Sequence, residues 1–208
     1  MTIENIKPMD IEKRSFEIIS QILGNTRLDP ENELVIKRAI HTTADFDYAQ
    51  NLYFSPHAVK RGIEALRNGC CIVTDTQMAK AGINKKTLAE LGGEVFCFMS
   101  DEDVAKEASE RGITRAYVSM EKAAGLNRPC IFAIGNAPTA LVSIKELMDE
   151  GKLDPVLIIG VPVGFVNVVE SKELIIGSGA PCIVARGRKG GSNVAAAICN
   201  AMLYQIKR

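Results

Sequence analysis

The chain has 208 residues, enough for one compact domain and slightly short for two. Its 25 basic and 25 acidic residues cancel, so nothing in the overall balance calls for nucleic acid or an anionic membrane, and any anion site has to come from a local grouping of Arg and Lys. No apolar run approaches the length that spans a bilayer. The start, MTIENIKPMDIEKRSFEI, scatters charges where a signal peptide carries an apolar centre, so the expected location is the cytoplasm.

Residues 1–69 read as helical, with no strand. Ile11, Ser15, Ile18, Ile19 and Ile22 fall on one side of a helix over residues 10–23. Asp29-Pro30 offers an N-cap followed by proline, opening a helix that runs through Arg38 and His41. Ser55-Pro56 repeats that signal, and Gly69 ends the helix that follows.

From residue 70 the pattern changes. Five short apolar runs read as buried strands: CCIVT (70–74), VFCFM (95–99), CIFAI (130–134), VLIIG (156–160) and CIVA (182–185). Helical patterns lie between them near 84–91, 101–111, 114–124, 138–149 and 167–176, and a last one covers about 191–206. Strands alternating with helices predict a parallel five-stranded sheet in a three-layer α/β/α arrangement. The expectation is a single domain, with residues 1–69 as a helical extension and residues 70–208 forming the sheet part.

Six cysteines invite a disulfide or zinc reading. Five of them sit inside apolar runs, Cys199 lies on an alanine-rich helix, and no CxxC pair is present. Buried free thiols are therefore expected, and no metal.

In an open parallel sheet, ligands bind beyond the carboxyl ends of the strands. The loops there are distinctive: Asp75-Thr76, then Gly135-Asn136-Ala137-Pro138-Thr139, then Gly160-Val161-Pro162-Val163-Gly164-Phe165, then Arg186-Gly187-Arg188-Lys189-Gly190-Gly191-Ser192. The last reads two ways, as a cradle for phosphate or carboxylate oxygens or as a solvated basic turn capped by Ser192. It does not match GxxxxGK[ST].

His41 also reads two ways, as a catalytic imidazole or as a half-buried histidine near a helix end. Arg38 precedes it by one turn, and Asp45 follows by one turn, where a carboxylate can fix the imidazole's tautomer. His57, two residues after Ser55, reads as a surface residue at a helix start.

Several stretches in series carry a resemblance: IEKRSFEII (11–19), KRAIHTTADFDYAQNLYFS (37–55), VTDTQMAKAGI (73–83), AIGNAPTAL (133–141), GVPVGFVNVVESKE (160–173) and RGRKGGSNVAAAICNA (186–201). Together they cover nearly the whole chain, and the chain resembles the precorrin-8X and cobalt-precorrin-8 methylmutase family. That resemblance implies a flavodoxin-like fold, a homodimer with the corrinoid site beside the subunit interface, and no cofactor. It implies an isomerase of cobalamin biosynthesis that shifts a methyl group between adjacent carbons of ring C, turning precorrin-8 or its cobalt form into hydrogenobyrinate or cobyrinate. The family's active-site histidine falls on His41, and substrate-contacting serine and arginine positions fall on Ser15 and Arg38.

The substrate this implies carries several carboxylates around an apolar ring. Arg38, Arg115, Arg186, Arg188 and Lys189 are the candidate cations for them, with Asn136 and Ser15 as neutral donors. The many thiols point toward the cobalt-containing substrate of an anaerobic route. The competing readings are a corrinoid-binding carrier without catalysis, and an enzyme for phosphate ligands built on the 186–192 loop.

Overall fold

The computed structural model describes residue 4 and residues 6–207, so the first residues of the charged start lie outside the described residues. The first third holds α1 (Ile11–Leu23), α2 (Glu33–Thr43), α3 (Tyr48–Asn51), β1 (Leu52–Phe54) and α4 (Ala58–Arg67). Next come β2 (Cys71–Thr74), α5 (Gln77–Gly82), α6 (Lys85–Glu90), β3 (Val95–Phe96), α7 (Glu102–Arg111) and α8 (Arg115–Ala124). The last part holds β4 (Cys130–Ile134), α9 (Pro138–Asp149), β5 (Leu157–Gly160), α10 (Val168–Gly177), β6 (Cys182–Ala185) and α11 (Ser192–Ile206).

The sheet order is β1-β6-β5-β4-β2-β3. Strands β2 to β6 are mutually parallel, and their spatial order β3-β2-β4-β5-β6 is the flavodoxin-like winding that the resemblance implied. Period-two alternation sorts their side chains onto two faces. Phe132, Ile134, Ile158 and Val184 meet α8, α9 and α10 on one face, while Ile131, Ile159 and Ile183 meet α2, α4 and α11 on the other. The N-terminal helices form an outer shell on that second face, α2 packing on α11 and α1 on α2.

The strand count corrects the expectation. The sheet has six strands, because β1 adds to β6 in antiparallel register, Leu52 opposite Ala185 and Phe54 opposite Ile183. Residues 1–69 are therefore not purely helical. Three residues are too few for an alternating pattern to show, yet they cover an edge that would otherwise be open for pairing.

Two helix starts also differ. Asp29 accepts a hydrogen bond from the Glu31 amide, and the turn this makes delays α2 to Glu33. Ser55 does not cap a helix; its Oγ accepts from the Cys182 amide and ends the β1 ladder, so α4 begins only at Ala58, after His57 at φ 57°. The six cysteines are free and buried, as expected.

At the carboxyl ends of β4, β5 and β6 the loops touch directly. A Cβ on Gly135 would lie 2.7 Å from the Ser192 Cα and 2.8 Å from its amide nitrogen, both main-chain atoms with no freedom to step aside. Gly135→Ala is expected to cost about 1–3 kcal/mol of stability by forcing these loops apart. Urea unfolding followed by circular dichroism measures it, and an unchanged midpoint would mean that the loops are not rigidly packed.

Candidate functional site

The five parallel strands reverse winding direction between β2 and β4, and the loops beyond that point form the natural crevice of such a sheet. Here the crevice is filled from within. Asp75, directly after β2, is fully buried, and its carboxylate accepts from the amides of Gly135, Asn136 and Ala137 at 2.9, 2.8 and 2.7 Å. Burial pushes the Asp75 carboxyl up, against the three amides, which favour its ionised form. Amides that would suit a ligand's anion are thus taken by the protein's own carboxylate.

The neighbouring loops are tied to one another. Thr76 and Ser192 share a hydroxyl hydrogen bond of 2.8 Å; Gly191 caps α11 without a side-chain bond, so Ser192 is a tie between loops and not a cap. The Gly191 amide donates to the Val161 carbonyl at 2.9 Å, and the Gly164 amide donates to the Arg188 carbonyl at 3.2 Å. Lys172 of α10, fully buried, donates from Nζ to the carbonyls of Gly187 and Lys189. The result is a continuous rim made of residues 135–139, 161–164 and 186–192.

The far end of α2 joins this rim. Ala44 closes the helix in the left-handed conformation, and Asp45 and Asp47 beyond it each lie 2.6 Å from Lys189 Nζ. The Lys189 ammonium holds the Asp45 carboxyl below the usual carboxylate range. Asp45 therefore turns to Lys189 and not to His41, against the expectation from helical spacing. His41 is exposed and stacks on Phe16 of α1, ring centroids 5.7 Å apart, with no hydrogen-bond partner among the described residues.

One turn earlier, Arg38 has aromatic rings beside it: its guanidinium is 5.0 Å from the Phe16 ring centre and 5.2 Å from that of Tyr204. It pairs with Glu12 at 2.5 Å, while its buried Nε finds no acceptor among the described residues. These side chains line a cleft of about 630 Å³ between α1, α2 and α11, with Lys13 and Lys37 also on its wall. His41 stands on α2 between this cleft and the rim. Ser15 is half-buried on α1 beside Phe16, its hydroxyl donating to the Ile11 carbonyl.

The other candidates are spread along the rim. Arg186 is exposed, pairs with Glu173 at 3.3 Å and lies 5.3 Å from the Tyr53 ring centre. Asn136 is exposed between the amides that Asp75 holds. Arg115 is the first residue of α8, next to the Thr114–Thr139 hydroxyl pair. Since α8 and α2 cover opposite faces of the sheet, one chain does not bring Arg115 and His41 together. Arg115 and Arg188 have exposed side chains without an acceptor among the described residues.

The sequence reading gave no role to Phe16 or Lys172, and it placed Asp75 in a carboxyl-end loop without seeing that the carboxylate would be buried. A lysine in line with Val168 and Ile175 on an otherwise apolar helix face was the visible sign of Lys172. For Asp75 the sign was an acid placed directly after a fully buried strand.

A doubly covered, largely parallel sheet with a constructed rim at its carboxyl edge is an α/β architecture of the kind that binds small molecules at that edge. The model of the family described as precorrin-8X methylmutase matches residues 10–205. The chain is 47% identical over 207 residues to the cobalt-precorrin-8 methylmutase of Salmonella typhimurium, covering 97% of each chain. It is 37% identical to the precorrin-8X methylmutase of Pseudomonas aeruginosa, over 92% of this chain and 93% of that one. Its structure is similar to that of precorrin-8X methylmutase from Thermus thermophilus, with a TM-score of 0.86 at 36% identity, covering 94% and 96% of the two chains. The chain belongs to the precorrin-8X methylmutase family, and it is an isomerase.

Asp75→Asn tests the filled crevice. An amide side chain has one acceptor oxygen, so at least one of the three backbone amides loses its partner or faces another donor, at a cost of about 1–3 kcal/mol. The midpoint of chemical denaturation should fall accordingly. A variant as stable as the parent would remove Asp75 from this role.

Proposed function

We propose that this methylmutase acts on cobalt-precorrin-8 and moves a methyl group between adjacent carbons of ring C to give cobyrinate, with His41 as its acid. The observation that carries the assignment to His41 is its setting: an exposed imidazole stacked on Phe16, between a cleft lined by Arg38, Lys13 and Lys37 and a rim of fixed loops. The bond to the first carbon breaks as the bond to the second forms, so no methyl donor, hydride or nucleotide enters the balance. An imidazole exchanges its proton near neutrality. In its protonated form His41 donates to a ring nitrogen next to the migrating centre, drawing electron density from the conjugated system and easing the shift. General acids contribute about 10²–10⁴-fold, and the rest of the acceleration comes from holding the macrocycle in a productive shape.

The substrate's carboxylates need donors that the neutral chain supplies locally. Arg38 lines the cleft, where its guanidinium can exchange Glu12 for a ligand carboxylate. Arg188 and Arg115 have no acceptor among the described residues, while Arg186 and Lys189 exchange carboxylates of the protein for those of the ligand; Asn136 and Ser15 add neutral donors. Cobalt arrives inside the macrocycle, and no protein ligand to it is required. The preference for the cobalt form rests on the higher identity to the Salmonella relative, which is named for it, than to the Pseudomonas one. The thiols no longer support it: all six are buried, and burial pushes Cys70 and Cys199 up to about 12 and Cys130 and Cys182 up to about 11, disfavouring the reactive thiolate.

The active unit is a homodimer in the cytoplasm, with the site near the interface. Ile11, Ile18 and Ile22 form an exposed apolar stripe along α1, with Ser15 on the same side, so a partner seated there comes close to the cleft. Among the described residues no helix is long and apolar enough to cross a membrane. The phosphate reading loses ground because Asp75 takes the crevice amides and Asp45 and Asp47 take Lys189.

Purified His41→Ala is expected to turn over cobalt-precorrin-8 about 10²–10⁴-fold more slowly while still binding the product. Turnover at the parent rate would end the acid assignment, and binding without turnover by the parent protein would favour a carrier. Assayed side by side, the cobalt substrate should outpace the metal-free one. Replacing Ile18 and Ile22 together by Glu should convert a dimer to monomers in sedimentation velocity; a dimer that persists would place the interface elsewhere.

A further inference from the structure

Lys172 is a charged side chain that the methyl shift leaves without a role. It is among the largest side chains in the protein with no solvent exposure, and it projects from the same face of α10 as Val168 and Ile175. Burying a lysine costs desolvation and side-chain entropy. Among the described residues no carboxylate pairs with that charge. Its Nζ hydrogen bonds go to two carbonyls, Gly187 at 2.8 Å and Lys189 at 2.9 Å, and burial lowers its pKa to about 8. A methionine would fill the same space without a charge.

The two carbonyls flank Arg188, the cation of this loop that has no acceptor among the described residues. The loop has little conformational preference of its own, since Gly187, Gly190 and Gly191 make up half of residues 186–191. It is held from outside: by Lys172 beneath, by the Gly164 and Val161 main chain beside it, and by Asp45 and Asp47 gripping Lys189. A continuous path thus runs from Lys172 through the 187–189 backbone and Lys189 to the end of the helix that bears His41.

We propose that Lys172 is a positioning residue of the mutase site: it locks the 187–189 backbone so that Arg188 presents its guanidinium to a substrate carboxylate, with Lys189 held by Asp45 beyond His41 until the ligand arrives. The identity of the ligand rests on the methylmutase reading; the lock itself does not.

Trypsin gives a readout independent of any ligand, because its sites Arg186, Arg188 and Lys189 lie in this loop. In Lys172→Met, cleavage within 186–189, identified by mass spectrometry, should rise about tenfold while other tryptic sites are cut at the parent rate, as expected when about 1.4 kcal/mol of local hydrogen bonding is lost. KM and the dissociation constant for cobyrinate should each rise about tenfold with kcat within about threefold. Adding Lys172→Met to Arg188→Ala should weaken product binding little beyond Arg188→Ala alone. Loop cleavage and product affinity within twofold of the parent would overturn the proposal, as would cleavage rising equally at all sites. If Lys172→Met does not fold, Lys172→Gln is read in the same way, and failure of both to fold would also overturn it, since a residue required for folding at large is not a local lock. Should the parent protein neither bind nor convert the corrinoid, the methylmutase reading fails and the loop cleavage alone decides the lock.

Discussion

The Asp75 carboxylate, gripping the amides of Gly135, Asn136 and Ala137, sits where the winding of the sheet reverses and most proteins of this topology leave room for a ligand. Filling that place has two consequences. The loop after β4 becomes rigid and packs, through Gly135, directly against the start of α11. With the usual crevice closed, the proposed ligand site lies outward, on the rim and on the helical shell that carries His41.

Along the rim the protein handles charge in small closed groups. Lys189 is matched by Asp45 and Asp47, Arg186 by Glu173, and Arg38 by Glu12. Such pairs are weak individually where solvent reaches them, and that weakness suits a site for a ligand with many carboxylates. On the proposed reading, exposed cations such as Arg186 and Lys189 are held in place while the site is empty and exchange their partners for substrate carboxylates at small cost. Arg38 goes further, its guanidinium lying beside the Phe16 and Tyr204 rings, so its direction is set by aromatic contact and not by its ion pair alone.

The arrangement also separates rigidity from chemistry. The sheet, its two faces and the loops tied by Asp75 and Lys172 form a fixed base. On the outer shell, α1 and α2 present Phe16, Arg38 and His41 together, and α1 keeps an apolar stripe facing outward. A shell that packs chiefly through Ile19, Val35, Ile36, Ala39 and Ile40 joins the same apolar cluster as the sheet. The position of His41 therefore depends on core packing as well as on the Lys189 tie.

Sequence alone determined the five parallel strands, though β3 is only Val95–Phe96 and not the full 95–99 run, most helices between them but not α5, the buried thiols and the chemical character of the four carboxyl-edge loops, because burial on both faces and helical periodicity are local patterns. It also singled out His41 as the candidate, though through the series of motifs around it and not through spacing. Tertiary structure decided what depends on partners distant in the chain. Strand β1 exists because β6 offers it an edge. Asp45 faces Lys189, 144 positions away, and not the imidazole one turn before it. Lys172 and Asp75 look like an ordinary charged helix residue and an ordinary loop acid until the fold removes water from both. What each then does is set by which main-chain atoms lie within reach, and no pattern of neighbours along the chain records that.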